Sequence, residues 1–148
     1  MNNITKIGQI KKLFISSVLE NKRIEKNSIK IDLNGIIDDK FYNKNNDRSI
    51  LLTSIDAYKL MEEKNIKAHY GQLGENILVD FNPYSLEKGT KILIGNTILE
   101  ITIECTICKF LTKIDKKVPK LLKKDRGVFA KVIKGGFLNL NDSINIIN

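Results

Sequence analysis

The sequence predicts a mainly β fold, a small β-barrel with a few short inserted helices, on three observations. Several segments alternate apolar and polar residues with the period of a half-buried strand. Those segments are short, rich in β-branched residues and bounded by Gly, Asn or Asp. Helical spacing is confined to a few stretches. Many short strands that close on themselves remove exposed sheet edges, which favours a barrel or strongly bent sheet of mostly antiparallel strands.

The elements follow in chain order. Ile10 to Val18 is the first strand candidate, and Ile29, Ile31 and Leu33 alternate with Lys30 and Asp32 in the next. Asn34-Gly35 and the polar run Asn43 to Asp47 read as loops. Ser49 to Thr53 is a strand, and Ser54 caps a helix that carries Ile55, Tyr58 and Met61 on one face before Asn65 closes it. Ile77, Val79 and Phe81 alternate again, and Asn82-Pro83 starts a turn. Lys91 to Ile94 is followed by a long amphipathic strand in which Leu99, Ile101 and Ile103 alternate with Glu100, Thr102 and Glu104. Ile107, Phe110, Leu111 and Ile114 then fall at i, i+3, i+4 and i+7, an apolar stripe on a short helix that sets Cys108 beside the buried face. A second short helix is expected over Val118 to Lys124, with Pro119 in its first turn. Val128 to Ile133 and Ser143 to Ile147 are the closing strands, with Gly135-Gly136 as a two-residue turn.

At 148 residues the chain fits one domain over 1–148, and it buries about two-thirds of the surface that its unfolded form exposes. No run approaches the roughly 18 apolar residues of a membrane span, and the opening residues lack the apolar core of a secretory signal, so a cytoplasmic protein is expected. The formal charge is +8 and the isoelectric point about 9.4. Such a charge favours an anionic partner. Yet of 25 basic residues only Arg23, Arg48 and Arg126 are arginine, and the lysines are spread along the chain. Because arginine is the better fork for phosphate, this surface reads first as solvated, and nucleic acid is disfavoured as a partner.

Two cysteines, Cys105 and Cys108, cannot build a disulfide framework. In a reducing compartment their close spacing points to metal, redox or nucleophile chemistry. At a strand end leading into a helix, unpaired N–H groups and the helix dipole favour an ionised thiol, below the ordinary value of about 8.5. Lys109 and Lys113 add positive field. The bland reading is that both are small apolar fillers. A closed zinc site needs four ligands and His69 is the lone histidine, so zinc is disfavoured. A thioredoxin-like site is disfavoured too, since the flanking pattern is β-hairpin and not βαβ. Gly74-Glu75-Asn76 could line a pocket or satisfy backbone groups in a turn, and the turn is the simpler reading. Asp47-Arg48 and Asp125-Arg126-Gly127 could each hold an anion, or be surface ion pairs of little worth.

Taken in order, these motifs resemble the MOSC family, the domain found at the C-terminal end of molybdenum cofactor sulfurases and as small stand-alone bacterial proteins. The resemblance runs from about Leu33 to Asp142. It is carried by Gly35-Ile36-Ile37-Asp38-Asp39, Asp47-Arg48-Ser49-Ile50-Leu51-Leu52 and Gly71-Gln72-Leu73-Gly74-Glu75-Asn76-Ile77. It continues through Gly89 to Gly95, the segment Glu104 to Asp115, Arg126 to Val132, and Gly135-Gly136 with Asn141-Asp142. The segment from Cys105 to Asp115 is similar to the stretch in mitochondrial amidoxime-reducing proteins whose second cysteine ligates molybdenum, which singles out Cys108. Three positions depart from the family pattern: Asp38 replaces a glycine, Phe41 a frequent histidine, and Asn141 the glycine of a closing Gly-Asp.

The resemblance implies a MOSC-type β-barrel, molybdenum cofactor (molybdopterin) as guest, and a role as sulfur carrier or cofactor holder. On this reading Cys108 is the catalytic thiolate, either the ligand to molybdenum or the carrier of a persulfide, and Arg48, Asn76 and Arg126 help define an anion-accepting pocket. A separate sulfur donor or a molybdoenzyme is the expected partner, with no membrane role and no pyridoxal phosphate in this chain. The alternatives are a small molybdenum-dependent reductase of N-hydroxylated compounds, which needs an electron donor, and a basic nucleic-acid-binding module with salt-sensitive affinity.

Overall fold

A computed structural model describes residues 3–20, 22–105 and 109–148, with backbone alone at 109 and 110. Eleven strands are seen among these residues: β1 (Ile4–Ser16), β2 (Arg23–Lys26), β3 (Ser28–Asp32), β4 (Gly35–Ile36), β5 (Ile50–Ser54), β6 (Ile77–Val79), β7 (Lys91–Ile94), β8 (Thr97–Glu104), β9 (Val128–Lys134), β10 (Gly136–Asn139) and β11 (Ser143–Ile147). Two α-helices, α1 (Ile55–Glu63) and α2 (Val118–Leu121), and short 3-10 turns at Asn46–Arg48, Pro83–Ser85 and Lys109–Lys113 complete the set. No helix among the described residues is long and apolar enough to cross a membrane.

The main sheet runs β11-β7-β8-β9-β5-β6-β1 and closes through a β11–β1 pairing, which makes a seven-stranded barrel; β2 extends it from β1. A separate sheet has the order β10-β3-β4. All pairings are antiparallel except β5–β6, the two strands that α1 joins. A parallel connection needs a long crossover, and the chain from 55 to 76 supplies it. The barrel interior holds Ile10, Leu13, Ile50, Leu52, Ile77, Val79, Ile92, Leu99, Val128 and Ala130, among others.

A second apolar cluster lies outside the barrel, built from Ala57, Tyr58 and Met61 of α1 with Ile66, Leu73, Leu78, Leu111, Val118 and Leu122. It explains why β6 is buried at every residue: Ile77 and Val79 face the barrel core while Leu78 faces the helices. Ser54 caps α1 as expected, its Oγ accepting from the Asp56 N–H at 2.9 Å, and Asn65 ends the turn that follows at φ 59°.

Several boundaries differ from the sequence reading. β1 begins six residues earlier than Ile10, with pairing shifts between Lys6 and Gly8 and between Ile10 and Lys12 that let one bent strand reach β11, β6 and β2. Of the stretch after Cys105 expected to be helical, the described part Lys109–Lys113 is a 3-10 turn, with Leu111 and Ile114 in the second cluster; Ile107 and the Phe110 side chain lie outside the described residues. α2 stops at Leu121. Gly135-Gly136 does not form a hairpin: the chain leaves the barrel there and β10 pairs with β3 in the smaller sheet. Leu33 is exposed beyond the end of β3, and Phe81 packs against the core from beyond the end of β6.

Candidate functional site

Alternation along two neighbouring strands creates the floor of the site. Ile50 and Leu52 of β5 face the barrel core, as do Val128 and Ala130 of β9, so Leu51 and Phe129 between them face outward. They line a cavity of about 380 Å³ on the outer face of the barrel. Around that floor stand Phe41, Lys44, Asn45, Arg48 and Ser49 from the 41–49 loop, Leu73, Gly74 and Asn76 from the approach to β6, Arg23 from β2, and Cys105 and Arg126.

Each wall is fixed locally. The Asn45 side chain accepts from the Asp47 N–H at 3.1 Å and the Ser49 hydroxyl donates to the Asn46 carbonyl at 2.8 Å, which holds the 3-10 turn. That turn ends on Arg48, an exposed residue whose guanidinium lies 5.4 Å from the Phe129 ring centroid. Arg126 is 2 % exposed. Its neighbour Gly127 has φ +114°, and a Cβ there would run into the Leu52 carbonyl oxygen, so only glycine lets β9 start this close to β5. The Cys105 N–H donates to the Gly127 carbonyl at 2.9 Å, which ties the end of β8 to the Arg126-Gly127 corner.

Asn76 bridges strands. Its backbone N–H donates to the Leu51 carbonyl at 2.9 Å while its Oδ1 accepts from the Leu51 N–H at 3.0 Å. On the other side its carbonyl accepts from the Phe14 N–H at 2.8 Å and its Nδ2 donates to the Phe14 carbonyl at 3.2 Å. The amide lines the cavity with both ends already engaged in holding β1 and β5 together.

Behind this wall sits a group of residues that the sequence reading places in a turn, Glu75, and on a helix face, Tyr58, without joining them. Glu75 is 0 % exposed, and its carboxylate oxygens lie 2.7 and 2.9 Å from the Tyr58 hydroxyl, which donates to them; the Gly71 N–H donates at 2.9 Å. Burial first, and then the adjacent Glu75 charge, push the Tyr58 hydroxyl far above its ordinary value, so it remains a donor. The Leu73 N–H donates to that hydroxyl at 3.2 Å. Arg23 donates to the Glu75 carbonyl and, through a terminal nitrogen, to the Ser16 hydroxyl at 2.9 Å. Burial lowers the pKa of Arg23 from its ordinary value, against the opposing pull of Glu75 and Asp39.

The site residues expected from sequence thus fall into two sets. Arg48, Asn76 and Arg126, far apart in sequence, line one cavity together with Cys105. Cys108 lies outside the described residues. All three arginines of the chain line the cavity, against one lysine, Lys44, among the described residues. No Asp or Glu is among the described residues that line it. Phe41, Leu51, Leu73 and Phe129 give the cavity its apolar walls, beside the polar Asn45, Ser49 and Asn76. His69 is exposed on the loop before Gly71.

The two other departures from the MOSC pattern have a backbone explanation. Asp38 has φ 72° and Asn141 has φ 69°, both in the left-handed region that glycine enters without cost and that Asp and Asn tolerate best among other residues. A glycine would fit either of these backbone positions in this chain. The Asp39 carboxylate, 2 % exposed, accepts from the Ser16 N–H at 2.7 Å and the Phe41 N–H at 3.0 Å. Phe41 is thereby placed at the cavity, where it offers an aromatic wall in place of a histidine.

Comparison with known proteins agrees with the barrel fold. The sequence matches the MOSC domain over residues 39–145. No curated protein matches it. Among solved structures, the YuaD protein from Bacillus subtilis is similar at a TM-score of 0.80 and 16 % identity, covering 100 % of this chain and 99 % of that one. YiiM from Geobacillus stearothermophilus is similar at 0.73 and 12 % identity, covering 96 % and 76 %, and YiiM from Escherichia coli at 0.70 and 14 % identity, covering 96 % and 70 %.

Proposed function

This chain belongs to the MOSC domain family, and from that premise we propose that it binds a flat, anionic cofactor of the molybdopterin type in the cavity beside Cys105 and acts on it through the Cys108 thiol. The observation that carries the reading is the convergence of every arginine in a lysine-rich chain on one cavity with apolar walls. Arginine is favoured where planar, bidentate recognition of phosphate matters, and a solvated surface has no reason to gather it.

The residues present suit such a guest. Arg48 and Arg126 would hold its anionic oxygens, while Phe41 and Phe129 supply ring faces for a flat heterocycle. Arg23 adds an unmet donor, since its Nε is buried without a hydrogen-bond partner among the described residues. Leu51 and Leu73 exclude water from the floor. When bound, the molybdenum centre would supply a metal for which a thiolate is a competent soft ligand. Cys108 would serve as that ligand or as a persulfide carrier, and a separate sulfur donor or a molybdoenzyme is the proposed partner.

The test is expression of wild type, Cys108→Ser and Cys105→Ser in cells that make molybdopterin, followed by metal analysis and by labelled-sulfur transfer. Molybdenum or labelled sulfur should be retained by wild type and by Cys105→Ser and lost from Cys108→Ser. Equal retention in both variants removes the assignment.

A further inference from the structure

We infer that Arg23 is a specificity-determining contact of the cavity, its Nε–H directed to an anionic oxygen on the guest, so that the N-terminal strands select charged over neutral heterocycles. The inference rests on the guest-binding reading above and goes beyond it, because Arg23 lies outside the residues 39–145 that match the MOSC domain.

The structure holds this side chain unusually firmly for an arginine. β2 pairs with β1 so that Arg23 stands opposite Ser16. One terminal nitrogen donates to the Ser16 hydroxyl at 2.9 Å, the other donates to the Glu75 carbonyl, and the guanidinium carbon lies 5.7 Å from the Phe14 ring centroid. Glu75, itself fixed by Tyr58 and Gly71, and Asp39, fixed by two backbone N–H groups, provide the negative charge that lets a cation remain in this partly buried place. Two of the three nitrogens are therefore engaged in fixing the plane of the group.

The third is Nε, buried and without a hydrogen-bond partner among the described residues, on a residue that lines the cavity. Native structures leave few buried donors unmet, least of all on a cation, and such an orphan on a residue that lines a cavity points to an acceptor that arrives with a ligand. The acceptor class is an oxygen of carboxylate or phosphate type, since a charged donor in a partly desolvated site discriminates strongly against a neutral analogue. Arg48 differs in kind: it is exposed and stacked on Phe129, and it contributes charge without a fixed fork.

The experiment uses two fluorescent probes, 6-carboxypterin and the neutral 6-methylpterin, titrated into wild type, Arg23→Met and Arg23→Lys. Wild type should prefer the carboxylate, and Arg23→Met should lose about tenfold in affinity for it, the scale of one charge-assisted hydrogen bond, with methylpterin affinity held within about twofold. Arg23→Lys, which keeps the charge and loses the planar fork, should fall between. Parallel loss for both probes would indicate a collapsed cavity and overturn the inference, as would unchanged carboxypterin affinity. If wild type binds neither probe, the guest-binding reading falls and takes this one with it; if wild type binds both and only the Arg23 dependence is absent, the cavity reading survives alone. Should Arg23→Met fail to fold, Arg23→Lys decides: selective weakening for the carboxylate supports the inference and equal affinity rejects it.

Discussion

Replacing Tyr58 by Phe removes one oxygen atom and keeps the ring, including its edge-to-face contact with Tyr70 at 5.0 Å. That oxygen donates to the Glu75 carboxylate at 2.7 Å and accepts from the Leu73 N–H at 3.2 Å, in a place where Glu75 and Leu73 are both 0 % exposed. The loss of a hydrogen bond to a charged group costs about 1.5–3 kcal/mol, and a buried N–H left unsatisfied adds about 1–3 kcal/mol. Partial relaxation of the loop makes about 3 kcal/mol the working expectation, a large share of the roughly 5–15 kcal/mol that holds a domain folded. Urea denaturation followed by circular dichroism measures it: with a slope of about 1–3 kcal/mol/M the midpoint should fall by roughly 1–3 M. Tyr42→Phe is the control, because its hydroxyl donates to Asp32 at 2.6 Å in a more open setting, and it should shift the midpoint far less. A Tyr58→Phe midpoint equal to that of wild type would refute the reasoning, since it would mean that the buried carboxylate does not depend on its donor.

Two further outcomes follow from particular atoms. Gly127→Ala should lose about 3 kcal/mol or more in a thermal melt, because φ +114° strains any side chain and the new Cβ meets the Leu52 carbonyl. The pKa of Asp125 is raised above the usual carboxylate value by burial and by the charge of Asp56. The folded state therefore holds its proton to higher pH than the unfolded chain, and stability from this group falls as pH rises through the acid range. Asp125→Asn should remove that decline while the 125 side-chain oxygen still accepts from Asn82 Nδ2, now at 2.9 Å, so the variant gains on wild type between pH 3 and neutrality in a series of melts.

The sequence made the barrel legible because its strands carry their burial in their spacing: Leu99 and Ile101 of β8 alternate cleanly, and Ser143–Ile147 and Lys91–Ile94 match the observed strands residue for residue. The same spacing places Ile77 and Val79 on the core face with Phe81 packed beyond them, while the burial of Leu78 against the helices leaves no mark in that alternation. β2 and β10 are short and polar or glycine-led, Arg23–Lys26 and Gly136–Asn139, and take their extended form from pairing with β1 and β3 and not from propensity. At the site, Arg48, Asn76 and Arg126 could be picked out as motif residues, but Arg23 sits in a run of charged residues that reads as solvent-facing. Its scarcity was the available signal: one of three arginines among 25 basic residues. Glu75 reads as a turn residue and Tyr58 as part of the apolar face of α1, and no spacing in the sequence shows that the two side chains meet.

The helical cluster outside the barrel is better understood through the cavity than as a second core. Barrel closure needs only that the chain cross from β5 to β6 in parallel, and many connections would do that. This one buries Tyr58 so that its hydroxyl meets Glu75, and Glu75 in turn holds the Gly71 N–H and stands beside Arg23. Leu73, which lies in the helical cluster, also lines the cavity, and Asn76, three residues on, ties the same segment to β1 and β5. The cavity wall from 71 to 76 is therefore held from behind by helix packing and from the sides by strand pairing. Any loosening of the α1–α2 cluster must reach Arg23 and the cavity before it reaches the barrel, so substitutions at Met61 or Val118 should weaken pterin binding at denaturant concentrations where the sheet is still intact.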